Sequence, residues 1–458
     1  MRLSHKIFIF PLLGLLAGCM STAGELSQEE RRDILDGLPQ RWSQTDSAAA
    51  SNIGSLMGLV SEPAVRSYVD TVLAENIQLK QSVIDLRSAE FARVGASSAL
   101  WPSVDGAASA QRQRVKTGRT GDYSNSFDLS ATLNWEVDLW GRLADGQSAA
   151  YSDQDAAAQD LQAARLSTAG RAMRDWIQLV TLNRLIQLDN SRISSLKRTE
   201  DIISEQFARG LGSLGDLEGA RASTESSRAN LTDRKLQRDQ LVRTMEVFAG
   251  QFPSSKLRAS GKLPTVKLPK SGFPMATIGR RPDLLAAYAR ARAADYRTSA
   301  AYKELLPKFA INFTLSDQAS DLSDLLQGGP AWSLLGNLTA PLFDAGARKA
   351  TAREQDLAAA KAWLDYRDAL LTTVLEVENA LNAEFSLRKR QGQLARAYEH
   401  AQENYRQFER RYQDGLTDIV TLLTAERAAF DAHQALFQVQ QEWLQNRINL
   451  ALALGIGL

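Results

Sequence analysis

The chain has 458 residues, and its 54 Lys and Arg residues almost balance its 53 Asp and Glu residues. This balance gives no electrostatic reason to expect binding to nucleic acid, which depends on an excess of positive charge. Only 12 prolines interrupt long stretches rich in Ala, Leu, Gln, Arg and Glu, and this composition favours long helices that face water.

The first 18 residues have the pattern of a secretory signal peptide. Two basic residues precede an apolar stretch, Ile7 to Leu16, which is too short to span a bilayer as a helix. The stretch ends in Leu16-Ala17-Gly18-Cys19, which resembles the lipobox of bacterial lipoproteins. In those proteins the signal peptide is removed and the cysteine is lipidated. The resemblance implies a signal peptide over 1–18, a lipid on Cys19 and a lipidated N-terminal segment over 19–60.

Cys19 is the only cysteine of the chain, so the exported protein is expected to have no disulfides. Met20 follows it where some lipoproteins have aspartate, and this resembles lipoproteins that are sorted to the outer membrane. The alternative is an inert cysteine inside an ordinary signal peptide.

The next recognisable element is a β-hairpin over about 103–139. Its second half alternates polar residues with the apolar residues Phe127, Leu129, Ala131, Leu133, Trp135, Val137 and Leu139. A period of two indicates a strand with one apolar face. The segment from Val104 to Val115 is a weaker partner strand, and the turn is expected near Lys116 to Asn125.

Residues 147–250 are predicted to form a long helical hairpin. No proline occurs from Gln147 to Ala208, and spacings of three and four link Leu179, Leu182, Ile186, Asp189, Ile193, Leu196, Glu200 and Ile203. This spacing is the seam of a coiled coil, interrupted by two acidic residues. A glycine-containing break at 209–212 precedes the second helical stretch, Asp216 to Phe248.

The same order of elements then occurs a second time. Asp138 to Arg142 (DLWGR) has its counterpart in Asp344 to Arg348 (DAGAR), and Phe207 to Ser223 has its counterpart in Tyr412 to Phe430. The offset stays at about 205 residues, which indicates a duplicated unit. We predict one repeat over 61–252 and a second over 281–458, with a linker over 253–280. The second repeat contains a β-hairpin over about 308–343 and a helical hairpin over 347–454.

The predicted strands have the length and the alternation of transmembrane β-strands. A half-buried sheet in a water-soluble protein would show the same pattern. Tryptophans near the strand ends, Trp101, Trp135, Trp140 and Trp332, favour the membrane interpretation. Four strands are too few to close a barrel, and an open edge is not tolerated in lipid. A membrane barrel would therefore have to be shared between chains.

These motifs resemble the outer membrane factors of tripartite efflux and secretion systems, the TolC and OprM type, and most closely their lipid-anchored efflux branch. Three of the segments that carry the resemblance are Leu133 to Leu143 (LNWEVDLWGRL), Gly279 to Pro307 and Arg411 to Phe430. The resemblance covers nearly all of the mature chain. It implies a mainly α protein with a small β part, which forms a trimeric twelve-stranded β-barrel in the outer membrane and an α-helical tunnel in the periplasm.

The resemblance also implies a function and partners. The chain would be the outer-membrane channel of a tripartite efflux pump, a passive exit duct for small amphipathic compounds such as drugs. It would be a homotrimer in outer membrane lipid that works with a periplasmic adaptor (a membrane fusion protein) and an inner-membrane pump. No enzymatic activity and no cofactor are expected, apart from the covalent lipid on Cys19. The exported compound and the class of pump stay open.

Two functional regions follow from the family at the tips of the helical hairpins. Docking to the adaptor is expected at Gly210, Leu211, Gly415 and Leu416. The periplasmic gate is expected at Asp418, Val420, Thr421 and Thr424, where threonine occupies places in which the family often has aspartate. Asp418 is the expected charged ring and Val420 the expected apolar constriction; the alternative is that Val420 and Thr424 only pack between helices.

The alternatives are a secretion duct, a periplasmic adaptor, and an enzyme or sugar-binding surface protein. A duct of a type I protein secretion system is the first alternative, because the family that the chain resembles serves secretion as well as efflux. A periplasmic adaptor lipoprotein normally has one helical hairpin flanked by soluble β-domains, whereas this chain has two hairpins. An enzyme or a sugar-binding surface protein is disfavoured because neither His400 nor His433 has a partner at metal-ligand or triad spacing.

Overall fold

A computed structural model of the chain describes residues 28–29, 34, 37–44, 50–51, 53–117, 120–259 and 262–458. The predicted signal peptide and Cys19 lie outside the described residues. Within the described part of the chain, none of the helices is both long enough and apolar enough to cross a bilayer.

The helices and strands from residue 60 onward occur in the following order. They are α1 (Pro63–Glu75), α2 (Ile77–Ser98), β1 (Ser103–Thr117), β2 (Thr120–Val137), α3 (Arg142–Ala208), α4 (Leu214–Phe248), α5 (Pro274–Ile278), α6 (Pro282–Lys303), β3 (Lys308–Ala319), β4 (Ala331–Thr339), α7 (Ala347–Gln413) and α8 (Ile419–Ala453). The fold is therefore mainly helical with a small sheet.

The helices show the duplication directly. Helices α2 and α6 have 22 residues each, α3 and α7 have 67 each, and α4 and α8 have 35 each. Glycines with a positive φ also occur in pairs that are 205 positions apart, 141 with 346, 210 with 415 and 250 with 455. These three helices and three left-handed turns are therefore alike in the two copies, whereas α1 has 13 residues and α5 has 5.

An aspartate caps the helix at each of the two places where a strand is followed by a long helix. The carboxylate of Asp138 accepts the backbone N–H groups of Leu143 and Ala144 at 3.1 and 2.8 Å. Asp344 does the same for Gly346 and Arg348 at 3.0 and 3.2 Å. Because Asp138 caps the chain this early, α3 begins at Arg142 rather than at Gln147.

The turn of the first β-hairpin differs from the prediction. A loop was expected over 116–125, but β1 and β2 stay paired up to the pair Thr117 with Thr120. The expectation was wrong because it followed the loss of apolar alternation. The ladder consists of backbone hydrogen bonds, which polar side chains do not interrupt. The second hairpin has the longer connection, between Ala319 and Ala331.

All four strands form one antiparallel sheet in the order β1-β2-β3-β4. Directly paired residues share a face of the sheet. Apolar rows are Val137–Phe309–Leu338, Trp135–Ile311–Gly336, Val104–Leu133–Phe313–Leu334 and Gly106–Ala131–Leu315–Trp332. The opposite face has the rows Ser103–Asn134–Asn312–Leu335, Asp105–Thr132–Thr314–Ser333 and Ala107–Ser130–Ser316–Ala331. The sheet thus has one apolar and one largely polar face.

The chain divides into two compact units, and neither coincides with a sequence repeat. The first contains Asp85–Gln159 and Leu285–Ala369, and the second contains Leu38–Ile84, Asp160–Leu284 and Leu370–Leu458. Each unit therefore contains parts of both repeats, 61–252 and 281–458. The reason is that the long helices α3 and α7 each contribute residues to both units.

The first unit holds the sheet and an aromatic cluster. The Trp363 ring lies edge-on to Tyr288 and Tyr366, with centroid distances of 5.7 and 6.1 Å. Its indole N–H donates to the Asp295 carboxylate at 3.1 Å, so the polar end of this buried ring is satisfied.

The second unit has the larger core. Residues of α1, α3, α4 and α8 bury their apolar faces together, among them Val69, Met173, Ile177, Met245 and Ile448. Pro282 and Asp283 lie in the first turn of α6. The buried Arg281 side chain joins Asp283 to Glu376, 2.6 Å from the latter.

Candidate functional site

The first helical hairpin reverses at residues 209–213. Gly210 has a φ of +73°, and the N–H groups of Gly210 and Leu211 donate to the carbonyls of Phe207 and Gln206, both at 2.9 Å. This is the αL ending of a helix, which favours glycine because it has no Cβ. Ser213 then caps α4 by accepting the N–H of Asp216 at 3.1 Å.

The second helical hairpin repeats this turn at residues 414–418. Gly415 also has a φ of +73°, and the N–H of Leu416 donates to the Arg411 carbonyl at 2.7 Å. Here the capping residue is charged. The Asp418 carboxylate accepts the N–H of Thr421 at 2.8 Å and the Thr421 hydroxyl at 2.9 Å.

The two tips expose one leucine each. Leu211 is 77% exposed and Leu416 is 66% exposed. Beneath them Ile203, Leu217, Ala220, Ile419 and Leu422 form a small buried cluster. The tips are therefore anchored from inside, while each presents an apolar side chain to solvent.

The four expected gate residues form two groups. Asp418 and Thr421 form the N-terminal cap of α8. The hydrogen bonds that the Asp418 carboxylate accepts lower its pKa, and the bond from the Thr421 N–H contributes most. Val420 and Thr424 lie one turn apart on the surface of α8, and the Thr424 hydroxyl donates to the Val420 carbonyl at 2.7 Å. Val420 is 66% exposed, so most of its side chain is free of contact within its own chain.

Val420 and Thr424 line a groove of about 980 Å³ between α4 and α8, with α3 at its base. At the base, Asp189 is buried and lies 2.6 Å from Nε of Arg234. Arg234 also donates to Gln434 of α8 at 3.1 Å. Asp189 is one of the two acids that interrupt the predicted heptad seam, and this interruption was the sequence signal for a buried polar link.

A second buried acid, Glu426, lies further along α8. Burial raises the pKa of its carboxyl, opposed by a hydrogen bond from Ser195 and by the charge of Arg192. The Tyr405 hydroxyl lies 3.0 Å from Oγ of Ser195. Sequence reasoning did not find this cluster, because its members come from α3, α7 and α8.

The end of α4 holds a carboxylate that binds the chain after it. Glu246 is only 3% exposed. Its oxygens accept the backbone N–H groups of Ser255 at 2.8 Å and Lys256 at 2.6 Å, and also those of Ser254 and Leu257. Burial alone would raise the pKa of this carboxyl, but the four N–H groups lower it to about 2.

The apolar face of the sheet is exposed at β4 in the described part of the first unit. Trp332, Leu334 and Leu338 of β4 are each more than half exposed. Two tryptophans at strand ends are hydrogen-bonded, Trp135 to the Leu100 carbonyl at 3.1 Å and Trp140 to the Pro307 carbonyl at 2.7 Å.

Among the described residues, no group of three or more His, Cys, Asp or Glu is arranged to hold a metal ion.

Comparison with known proteins agrees with this geometry. The profile of the outer membrane efflux protein family matches residues 68–251 and 274–456. The pyoverdine export outer membrane protein OpmQ of Pseudomonas aeruginosa is 25% identical over 97% of this chain and 95% of its own length. The probable outer membrane lipoprotein SilC of Salmonella typhimurium is 21% identical over 99% and 98%.

Among solved structures, the outer-membrane channel OprN matches with a TM-score of 0.85 and 24% identity, covering 92% of this chain and 97% of OprN. The fold thus has the duplicated arrangement of helical hairpin and β-hairpin that the sequence predicts. The chain belongs to the outer membrane efflux protein family.

Proposed function

We propose that the chain is the outer-membrane channel of a tripartite efflux pump and acts as a passive exit duct for small amphipathic compounds such as drugs. The observation that carries the proposal is the sheet, which combines an exposed apolar face, a polar face and two edges that have no partner strand among the described residues. Such a sheet is suited to lipid on one side and to a water-filled lumen on the other.

The two unpaired edges support a homotrimer. Strands β1 and β4 are the ends of the sheet order, and unpaired backbone groups are not tolerated in lipid. A barrel needs about eight strands or more. Three copies of a four-stranded sheet give twelve strands, with β1 of one copy beside β4 of the next.

The helical hairpins support contacts in the periplasm. The exposed Leu211 and Leu416, next to Gly210 and Gly415, are the proposed contacts for a periplasmic adaptor that connects the duct to an inner-membrane pump. The proposed gate consists of Asp418, Val420, Thr421 and Thr424. In a trimer each of these residues occurs three times around one axis, so three copies of Asp418 would attract cations.

The proposed lipid anchor rests on the lipobox and on the relative SilC, which is named as a probable outer membrane lipoprotein. The mature chain would begin at a lipidated Cys19. Growth with a radioactive fatty acid should label the protein, and Cys19→Ser should remove the label. A labelled serine variant would rule out this anchor.

The membrane role is tested by placing an arginine on either face of the sheet. Leu133→Arg puts a charge in the middle of the apolar face, where it should destabilise insertion by about 2–4 kcal/mol. The matched control Thr132→Arg puts the same charge on the polar face and should leave trimers in the outer membrane. Equal amounts of heat-modifiable trimer in the two variants would contradict the proposal.

A further inference from the structure

One end of the apolar face carries positive charge. Along β1 the residues of that face are Val104, Gly106, Ala108 and Ala110, and the next two positions of the same face are Arg112 and Arg114. Ala110 pairs with Phe127, which ends the apolar run of β2, and Arg114 pairs with Tyr123. The apolar face therefore ends in two arginines and a tyrosine beside the turn of the first hairpin.

The two arginines share one aromatic ring. The guanidinium carbons of Arg112 and Arg114 lie 5.1 and 5.3 Å from the centroid of Tyr123, which is 60% exposed. These are cation–π distances. The shared ring holds the two positive charges near each other on an exposed surface. An anion between the two guanidinium groups would stabilise this arrangement.

No carboxylate of the described residues forms an ion pair with Arg112 or Arg114. Asp122 pairs with Val115 and therefore belongs to the opposite face. On the same face, Asp317 pairs with Leu129, several residues away, and its carboxylate accepts the N–H of Leu326 at 2.6 Å. Within the described part of the chain, these two guanidinium groups therefore have no carboxylate partner.

We propose that Arg112, Arg114 and Tyr123 form a binding site for the phosphate headgroup of an anionic membrane lipid. The proposal rests on the proposed function, in which the apolar face meets lipid. An apolar strand face that changes to Arg and Tyr is typical of the boundary between hydrocarbon and headgroups. Guanidinium groups bind phosphate with two parallel hydrogen bonds, and the tyrosine hydroxyl supplies a further donor. Lipid A, whose phosphates lie at the outer surface of the outer membrane, has this chemistry.

The test uses the purified full-length trimer in phosphatidylcholine vesicles with or without lipid A. We expect lipid A to raise the temperature at which the wild-type trimer dissociates. The double variant Arg112→Gln with Arg114→Gln should bind lipid A at least tenfold more weakly by native mass spectrometry. Inorganic phosphate at the same concentration should produce no shift, and an equal shift with it would show a free-phosphate site and overturn the lipid proposal.

A matched control moves the charge to the other face. Adding Gln111→Arg and Gln113→Arg to the double variant restores the net charge on the polar side of β1. We expect no recovery of lipid A binding; recovery would overturn the proposal, because total charge rather than this face would then bind the lipid.

Channel conductance in vesicles without lipid A separates the two claims. A wild-type protein that neither inserts nor conducts would overturn both the proposed function and the lipid site. Normal conductance with equal lipid A binding in wild type and double variant would overturn the lipid site alone.

Discussion

The two sequence repeats share the lengths of three helices and three left-handed turns, and they differ in their strands and in the side chains that hold the helix ends. The long helices of the two helical hairpins have equal lengths, and three glycines with positive φ occur at equivalent positions. Yet Ser213 caps α4 where Asp418 caps α8. Glu246 binds the chain after α4, whereas the equivalent position in α8 is the buried Ala451. The duplication has kept the geometry of turns, while charges and caps have diverged.

The largest expected effect comes from removing the Glu246 carboxylate, the anchor that only the first repeat has. Glu246→Ala leaves four N–H groups without their acceptor, so we expect a loss of about 3 kcal/mol in the free energy of unfolding. Urea denaturation of the detergent-solubilised trimer measures this loss. The control Glu218→Ala, on the exposed surface of the same helix, should change stability by less than about 0.5 kcal/mol. Equal losses in the two variants would show that Glu246 is not an anchor.

The same anchor predicts a pH dependence. The folded pKa of Glu246 is about 2, below its ordinary value of 4.5. Because the folded pKa is depressed, the stabilisation is fully present above pH 4.5 and is lost as the pH falls towards 2. The difference in melting temperature between wild type and Glu246→Gln should therefore shrink over this range. A difference that stays constant down to pH 2 would contradict this assignment.

The next largest losses of stability are expected when alanine replaces four glycines that form two equivalent pairs in the two repeats. All four of Gly250, Gly455, Gly210 and Gly415 have φ near +70°, so alanine is strained at each by about 1–2 kcal/mol. A Cβ at Gly250 would lie 2.5 Å from the Glu75 carbonyl oxygen, and one at Gly455 would lie 3.1 Å from Arg280 carbon. At Gly210 and Gly415 no atom of the described residues would lie within 4 Å of the added Cβ.

Thermal unfolding of the four Gly→Ala variants should therefore rank Gly250 as the most destabilised, Gly455 as intermediate, and Gly210 and Gly415 as equal and least affected. Gly250→Ala is expected to lose about 3 kcal/mol because backbone must move. If the tip variants were as unstable as Gly250→Ala, the difference would not come from steric contact.

A smaller effect is expected at the two caps. Ser213→Ala should reduce stability by about 1 kcal/mol at any pH. Asp418→Ala should also destabilise, but only while the carboxylate is ionised, because the pKa of Asp418 is lowered by its bond to Thr421. The penalty for Asp418→Ala should disappear as the pH falls below the ordinary range for aspartate. Identical pH profiles for the two variants, measured by melting temperature, would argue against a charged cap.

The smallest effect on stability is expected at the proposed gate. Val420→Gly gives α8 the residue that the first repeat has at Gly215, the equivalent position. The side chain is exposed in the single chain, so trimers should form. If three copies of Val420 narrow the tunnel, cells that carry the variant should admit a large antibiotic that wild-type cells exclude.

The companion variant Asp418→Asn should lower the cation preference of single channels in planar bilayers. It keeps an acceptor for the Thr421 N–H, so a structural failure and a change in charge can be told apart by melting temperature. Unchanged exclusion in Val420→Gly together with unchanged ion preference in Asp418→Asn would place the gate elsewhere.

Local patterns in the sequence predicted most of the fold. The alternation from Phe127 to Leu139 predicted β2, and the break at Gly210 predicted the first tip. At residues 120–125 the side chains become polar although the backbone continues as β2. The pattern of polarity therefore predicted a loop there, which was wrong. The pairs Arg281 with Glu376 and Asp189 with Arg234 could not be predicted in this way. Their partners are far apart along the chain, and a single charged residue in a helix does not indicate its partner.

The candidate site shows the same limit. The glycine turns and exposed leucines of the tips follow from local sequence. The role of Asp418 as a helix cap could also have been read from an aspartate directly before the apolar start of α8. Glu246 gave no signal, because its partners are backbone N–H groups whose position depends on the folded chain.

The most direct test of the duct is the join between neighbouring copies. Strands β1 and β4 are opposite edges of one sheet, so a disulfide between them has to link two chains. The test uses one cysteine in β1 (Gly106→Cys or Ala108→Cys) and one in β4 (Leu334→Cys or Gly336→Cys), in a Cys19→Ser chain with an ordinary signal peptide. Oxidation in outer membranes should give covalent trimers and nothing larger on denaturing gels. Monomers only, or a ladder that extends beyond three chains, would contradict the closed barrel of three copies.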